Sequence, residues 1–174
     1  MKPTPSLFFA LGFAFLLAGP AAHAVAAQPQ AASVPLPAGP MAGRLIGTWG
    51  LIAVRERDAA PGAEKPALHG SAGGQLIYAA NGRLSVQIAR VGWEKVPIGG
   101  VDGFASYFGR WELVASEGYV VHHEDGNLNP AQIGQAAKRF FSFDADGHLS
   151  LATPPARNAE GRAVSTVFVW ERLP

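Results

Sequence analysis

One hairpin signal constrains the fold of this chain more than any other feature. Asn81-Gly82 separates the segments GQLIYAA (74–80) and RLSVQIAR (83–90), and in the second segment apolar residues alternate with others. Both central positions of the tightest hairpin turn require a positive φ, which Asn and Gly adopt at little cost. The two segments are therefore predicted to be neighbouring antiparallel strands.

The same pattern of strands and turns recurs along the rest of the chain. Segments rich in β-branched and aromatic residues end at turns such as Glu117-Gly118 and Ala145-Asp146-Gly147. Helical periodicity is not seen over any useful length, and PAQIGQ (130–135) would form one helical turn at most. The eight predicted strands cover residues 45–57, 74–80, 83–90, 104–116, 119–125, 137–144, 148–153 and 163–173.

Eight sequential antiparallel strands leave two free sheet edges, and pairing the first strand with the eighth removes both of them. The predicted fold is therefore all-β, an eight-stranded antiparallel up-and-down β-barrel. An open sandwich is the structural alternative. An eight-stranded barrel has an interior that accommodates packed side chains or one small ligand.

The first 44 residues differ in composition from the rest. Residues 1–24 contain one Lys, an apolar run and the sequence Ala22-His23-Ala24, which is the pattern of a secretory signal peptide cleaved after Ala24. Residues 25–44 are rich in Ala and Pro and have no aromatic residue, so they are expected to form a flexible linker. The barrel domain is then expected to span residues 45–174.

Charge and hydropathy limit the partners of the exported chain. Removal of Lys2 with the signal peptide lowers the count of basic residues from 14 to 13, which equals the 13 acidic residues. A neutral protein offers no electrostatic footprint for nucleic acid or anionic lipid. No apolar run of spanning length follows residue 24, so the mature chain is not expected to insert into a membrane. The mature chain is expected to be a monomer.

Six motifs follow one another along the chain: LIGTWGL, GQLIYAANGRLSVQIAR, ASYFGRWEL, VVHHEDGNLNP, RFFSFDADGHLSLATPP and VFVWERL. In this order they resemble the bacterial and fungal lipocalin-like domain family. The resemblance covers residues 45–174 and implies an eight-stranded up-and-down barrel. It also implies that Trp49, in the Gly-x-Trp pattern with Gly47, plugs the closed end of the barrel. An Arg near the last strand often covers that Trp, and the candidates are Arg172 and Arg139.

The segment VVHHEDGNLNP (120–130) concentrates polar groups. His122 and His123 are adjacent and point to opposite faces of a strand, so they cannot both bind one ion without a distorted backbone. The chain has no Cys and no H-x-H or H-E-x-x-H motif, and neither a metal nor another cofactor is expected. Glu124 to Pro130 are expected to form a strand end followed by a turn, since Asp125-Gly126-Asn127 and Asn129-Pro130 are typical turn sequences. One histidine is expected to face the interior. Tyr119 shares a strand face with His123, and this favours His123 as the inward-facing histidine.

These features favour a small-molecule binding site in the interior of an exported, periplasmic or secreted barrel. Barrel pockets are mostly apolar and contain a few polar groups that orient the ligand. The alternatives are an isomerase- or cyclase-type enzyme acting on a hydrophobic molecule in the same cavity, and a filled structural barrel. The candidate ligand-binding residues are Gln87, Tyr107, Trp111, His123 and Arg139.

Overall fold

The computed structural model describes residues 34–58, 65–66, 72–90, 92–95, 103–158 and 160–174. The signal peptide expected at residues 1–24 lies outside this part of the chain. The elements are helix α1 (Gly39–Leu45), strands β1 (Gly47–Asp58), β2 (Lys65–Pro66), β3 (Ala72–Tyr78), β4 (Arg83–Arg90), β5 (Phe104–Val114), β6 (Tyr119–Asn127), β7 (Ala136–Phe143), β8 (Leu149–Ala152), β9 (Ala156–Arg157) and β10 (Ala163–Arg172), and short 3-10 helices at Trp93–Lys95, Ala115–Glu117 and Pro130–Gln132.

Eight of the strands form a closed antiparallel barrel. The order is β1-β3-β4-β5-β6-β7-β8-β10, and β10 pairs back with β1 from Trp49↔Arg172 to Asp58↔Val164. The two-residue strands β2 and β9 pair with β1 and β10 respectively. The predicted eight-stranded barrel is confirmed, and each predicted strand corresponds to one strand of it.

Strand β6 continues through residues that the sequence assigned to a turn. Beyond a bulge at Asp125, Gly126 pairs with Phe108 and Asn127 pairs with Tyr107. The backbones of β5 and β6 approach closely here, as shown by Gly109: a Cβ built at this residue would lie 1.9 Å from the His123 carbonyl oxygen. The bulge absorbs one extra residue and lets the ladder continue, as bulges do.

Helix α1 occupies residues that composition assigned to the flexible linker. Its side chains Ala42 and Leu45 are buried in the barrel core, and the Leu45 carbonyl accepts a hydrogen bond of 2.9 Å from Trp49 Nε1. A helix this short is not stable by propensity, so packing against the barrel must stabilise it. The expectation of a flexible segment up to residue 44 is therefore wrong from Gly39 onward.

Trp49 is buried at the end of the barrel next to α1. The Arg172 guanidinium lies over its ring, 4.2 Å from the centroid, and donates to the carbonyls of Ile46 (2.8 Å) and Arg44. Gly47 has a φ of 147°, and a Cβ there would lie 2.2 Å from Arg172 Nη1. The Gly-x-Trp pattern thus leaves room for the arginine that covers the tryptophan.

The core lies inside the barrel, on the faces that alternation predicts. Leu84 and Val86 of β4 point inward, and Tyr78 of β3 packs on Trp111 of β5 with ring centroids 4.6 Å apart. Within the ranges that the structure describes, no helix is long and apolar enough to cross a membrane.

Candidate functional site

A cavity of about 190 Å³ lies within the barrel. Ala105, which is exposed at the start of β5, contributes to its lining, so the cavity reaches the surface there. Its walls are largely apolar, and the polar side chains among the lining residues are Tyr107, His122 and Arg139. The apolar walls are formed by Leu76, Val86, Ile88, Leu151, Phe168 and Trp170.

Three neighbouring strands position the polar side chains. Tyr107 lies on β5, His122 on β6 and Arg139 on β7. His122 pairs with the inward-facing Trp111, and Arg139 pairs with the buried Val120. Directly opposed residues of an antiparallel pair share a face. The three polar groups therefore converge on one side of the cavity.

His122 is held between two tyrosine hydroxyls. Its Nε2 lies 2.5 Å from the Tyr78 hydroxyl oxygen, and its Nδ1 lies 2.9 Å from that of Tyr107. Tyr78 and His122 are each only 1% exposed. Arg139 lies close to this chain of three side chains, and its positive charge acts on the Tyr107 hydroxyl.

Burial keeps these three rings neutral. Desolvation, followed by the positive charge of Arg139, lowers the pKa of His122 well below its ordinary value. Burial raises the pKa of Tyr107 to about 12, although Arg139 opposes this shift. Burial also raises the pKa of Tyr78, with a smaller effect from Tyr107. At neutral pH the site therefore contains a neutral imidazole and two phenols.

The hydrogen-bond partners assign the histidine tautomer. A neutral imidazole has one donor and one acceptor nitrogen. Within the described part of the chain, the Tyr78 hydroxyl has no partner besides His122 Nε2, so it must donate to that nitrogen. The opposite arrangement would leave a buried donor unsatisfied, at a cost of about 1–3 kcal/mol. Nδ1 then carries the proton and donates to the Tyr107 oxygen, which leaves the Tyr107 O–H available as a donor.

The prediction that His123 faces the interior is wrong. His123 lies on the outer face of β6, where its Nε2 is 3.2 Å from Glu112 Oε2. Strand alternation places His122 inside instead, between the buried residues Val120 and Glu124. The aromatic character of Tyr119 misled the assignment, because its ring packs on the outer face under the Lys138 ammonium, 3.5 Å from the ring centroid.

Of the other four candidates, two line the cavity and two do not. Tyr107 and Arg139 line the cavity. Trp111 is fully buried but contributes to the core, since its ring packs on Tyr78 and its Nε1 donates to the Ala79 carbonyl over 3.1 Å. Gln87 lies on the opposite face of β4 from Val86, and its Nε2 donates to Ser85 Oγ over 2.7 Å. The assignment of Gln87 to the pocket is wrong, because alternation along β4 points it outward.

Sequence reasoning missed two buried polar residues near the site. Tyr78 ends β3 on the same face as the cavity residue Leu76, so alternation would have identified it. Glu124 is 4% exposed and accepts a hydrogen bond from the Asn127 side-chain amide. Its position in a segment rich in turn residues concealed its inward orientation.

A second polar cluster lies on the turn between β7 and β8. Asp144, Asp146 and His148 have potential metal-ligand atoms within 4.8 Å of one another. Asp144 accepts hydrogen bonds from the backbone N–H groups of Asp146 and His148 and lies 2.9 Å from the His148 ring nitrogen. These contacts are those of an Asx-type turn and account for the cluster.

The comparisons with known proteins agree with the architecture. Residues 46–173 match the family model described as a lipocalin-like domain, and this range contains all the barrel strands. A comparison with curated proteins found no match. On the extent of the family match, the chain belongs to the lipocalin-like domain family.

Proposed function

We propose that this protein is an exported barrel that binds one small, largely apolar molecule in its interior cavity. The observation that supports this most directly is the apolar cavity of about 190 Å³ with three polar side chains on one side. Ligand pockets combine these two features, apolar walls for affinity and a few polar groups for orientation.

The cavity volume sets the size of the ligand. A cavity of about 150 Å³ with apolar walls is known to accept benzene. The cavity of this barrel is moderately larger, at about 190 Å³. The expected ligand is therefore a single substituted ring or a short alkyl chain.

The state of the polar groups favours binding over the alternative of isomerase- or cyclase-type catalysis. A general acid or base works best when its pKa is near the working pH. The pKa of Tyr107 is raised to about 12, and that of His122 is lowered by burial. Both ring nitrogens of His122 are also engaged by tyrosine hydroxyls. These groups are better suited to orienting a ligand than to exchanging protons with it.

Toluene is a suitable probe of the cavity, because it contains one ring and no polar group. Ligand-observed NMR on the full-length protein should show binding with a dissociation constant below about 1 mM, or about −4 kcal/mol. Val86→Phe places a larger side chain in the cavity and should abolish binding. Gln87→Phe adds a similar ring to the outer face of the same strand and should leave binding intact. Equal toluene binding by both variants would contradict the proposal.

Export has its own test. The sequence of residues 1–24 supports cleavage after Ala24. N-terminal sequencing of the protein recovered from outside the cytoplasm should give a chain that begins at Val25. A recovered chain that still begins at Met1 would argue against processed export.

A further inference from the structure

Arg139 places a positive charge beside the apolar cavity. Its Nη1 donates to the Lys138 carbonyl over 2.9 Å, and its charge acts on the neighbouring Tyr107 hydroxyl. Among the described residues no Asp or Glu forms an ion pair with it. The buried carboxylate of Glu124 accepts from Asn127 and does not line the cavity. A guanidinium has five N–H donors, so Arg139 retains donors for a ligand.

The other polar groups at the cavity are also donors. The Tyr107 oxygen accepts from His122, and its O–H is left to donate. Trp170 lines the cavity, and its buried Nε1–H has no hydrogen-bond partner among the described residues. The two ring nitrogens of His122 are both engaged by tyrosines. The site therefore offers several hydrogen-bond donors to a ligand.

From this arrangement we propose that the ligand is a small monocarboxylate with an aromatic or short aliphatic body. Its carboxylate would accept hydrogen bonds from the Arg139 guanidinium and the Tyr107 hydroxyl, while its body fills the space between Val86, Leu151 and Phe168. A planar guanidinium binds a carboxylate through two parallel hydrogen bonds, and charge-assisted hydrogen bonds are the strong ones. This inference rests on the proposed function, because it assigns the chemical class of the ligand in the same cavity.

The test compares phenylacetate with phenylacetamide on the full-length protein by isothermal titration calorimetry. The two probes have the same ring and nearly the same shape, and they differ in the charge of the head group. Phenylacetate is expected to bind at least tenfold more tightly, since a charged acceptor gains more from Arg139 than a neutral one. The comparison is made on the unmodified protein and requires no variant to fold. Equal affinity, or tighter binding of the amide, would overturn the inference.

Two variants test whether Arg139 causes the preference for phenylacetate over phenylacetamide. Arg139→Gln should weaken phenylacetate binding by about 10–100-fold and leave phenylacetamide within about threefold. Lys138→Gln removes the neighbouring positive charge on the outer face and should preserve the tenfold preference. A preference that survives in Arg139→Gln would overturn the assignment of Arg139.

The toluene experiment separates the two proposals. If toluene binds and phenylacetate has no advantage over the amide, the carboxylate inference is wrong and the binding function stands. If toluene, phenylacetate and phenylacetamide all fail to bind, the binding function itself is wrong and the inference falls with it.

Discussion

At the scale of single residues, the closed end of the barrel depends on the space left by one missing side chain. Gly47 adopts a φ of 147°, which L side chains rarely adopt, and Arg172 fills the volume where its Cβ would stand. The Arg172 guanidinium in turn covers Trp49 and binds two carbonyls at the end of α1 and just beyond it. One glycine thus permits a cation–π contact and two hydrogen bonds.

Gly47→Ala should therefore destabilise the protein by roughly 2–4 kcal/mol, from backbone strain and the displacement of Arg172. The matched control is Gly43→Ala in α1, where an added Cβ meets no atom within 4 Å. That change removes a flexible residue from a helix and should stabilise the protein by up to about 1 kcal/mol. Urea unfolding of both variants measures the two effects, and similar values for the two would contradict this account.

The buried imidazole makes stability depend on pH. The folded protein holds His122 neutral because burial lowers its pKa, whereas the unfolded chain binds a proton with a pKa of about 6.5. The unfolded state therefore gains protons first, and stability is lost as the pH falls below about 6.5, by about 1 kcal/mol per pH unit. Urea unfolding between pH 7 and pH 5 should show this slope.

The slope should disappear in His122→Gln and persist in His123→Gln, since His123 lies on the outer face. Asp144 affects the free energy of unfolding in a different pH range. Hydrogen bonding to His148 lowers the pKa of Asp144, so its effect is lost only at pH values below about 4. If the slope of unfolding free energy between pH 7 and pH 5 is unchanged in His122→Gln, His122 is not its cause.

At the scale of elements, the turns predicted most of the barrel. An antiparallel pair joined by a turn of two or four residues places odd-numbered residues of β5 opposite even-numbered residues of β6, and even-numbered residues of β5 opposite odd-numbered ones. The observed pairs Val114↔Tyr119 and Trp111↔His122 follow this rule. With Trp111 assigned to the interior, the same rule selects His122 rather than His123, so this part of the site was predictable. The bulge at Asp125 was not, because it depends on the close backbone approach at Gly109.

Helix α1 shows what composition does not reveal. Its sequence, GPMAGRL, has the Gly, Pro and Ala of a linker, and its stability comes from tertiary contacts that no local pattern encodes. The last residue of the helix, Leu45, is fully buried. The start of the folded domain therefore had to be read from the structure.

Leu45→Ala should cost about 2–5 kcal/mol, as expected for a large-to-small change in a packed core. Leu36→Ala, in the same N-terminal segment, removes the same atoms from a side chain that is 66% exposed, and should change stability by less than about 0.5 kcal/mol. Chemical unfolding of the two variants compares them directly. A small effect at Leu45 would show that α1 does not contribute to the core.

At the scale of the whole barrel, closure and cavity are linked. Strand β10 pairs with β1 on one side and with β8 on the other, and it contributes Phe168 and Trp170 to the cavity wall. The cavity walls also include Leu76 on β3 and Leu151 on β8, so they come from strands far apart in the sequence. A ligand in this cavity contacts the assembled barrel, and the unfolded chain offers no such site.

Ligand binding should therefore raise the free energy of unfolding of the whole barrel. A ligand that binds only the folded state adds about 2.7 kcal/mol when its free concentration is 100 times its dissociation constant. Toluene should produce a concentration-dependent gain of this kind in the unmodified protein and in Gln87→Phe, and no gain in Val86→Phe. Urea unfolding at several toluene concentrations measures it. A gain of the same size in Val86→Phe would show that toluene binds outside the cavity, because that variant fills the space between the strands where the ligand would lie.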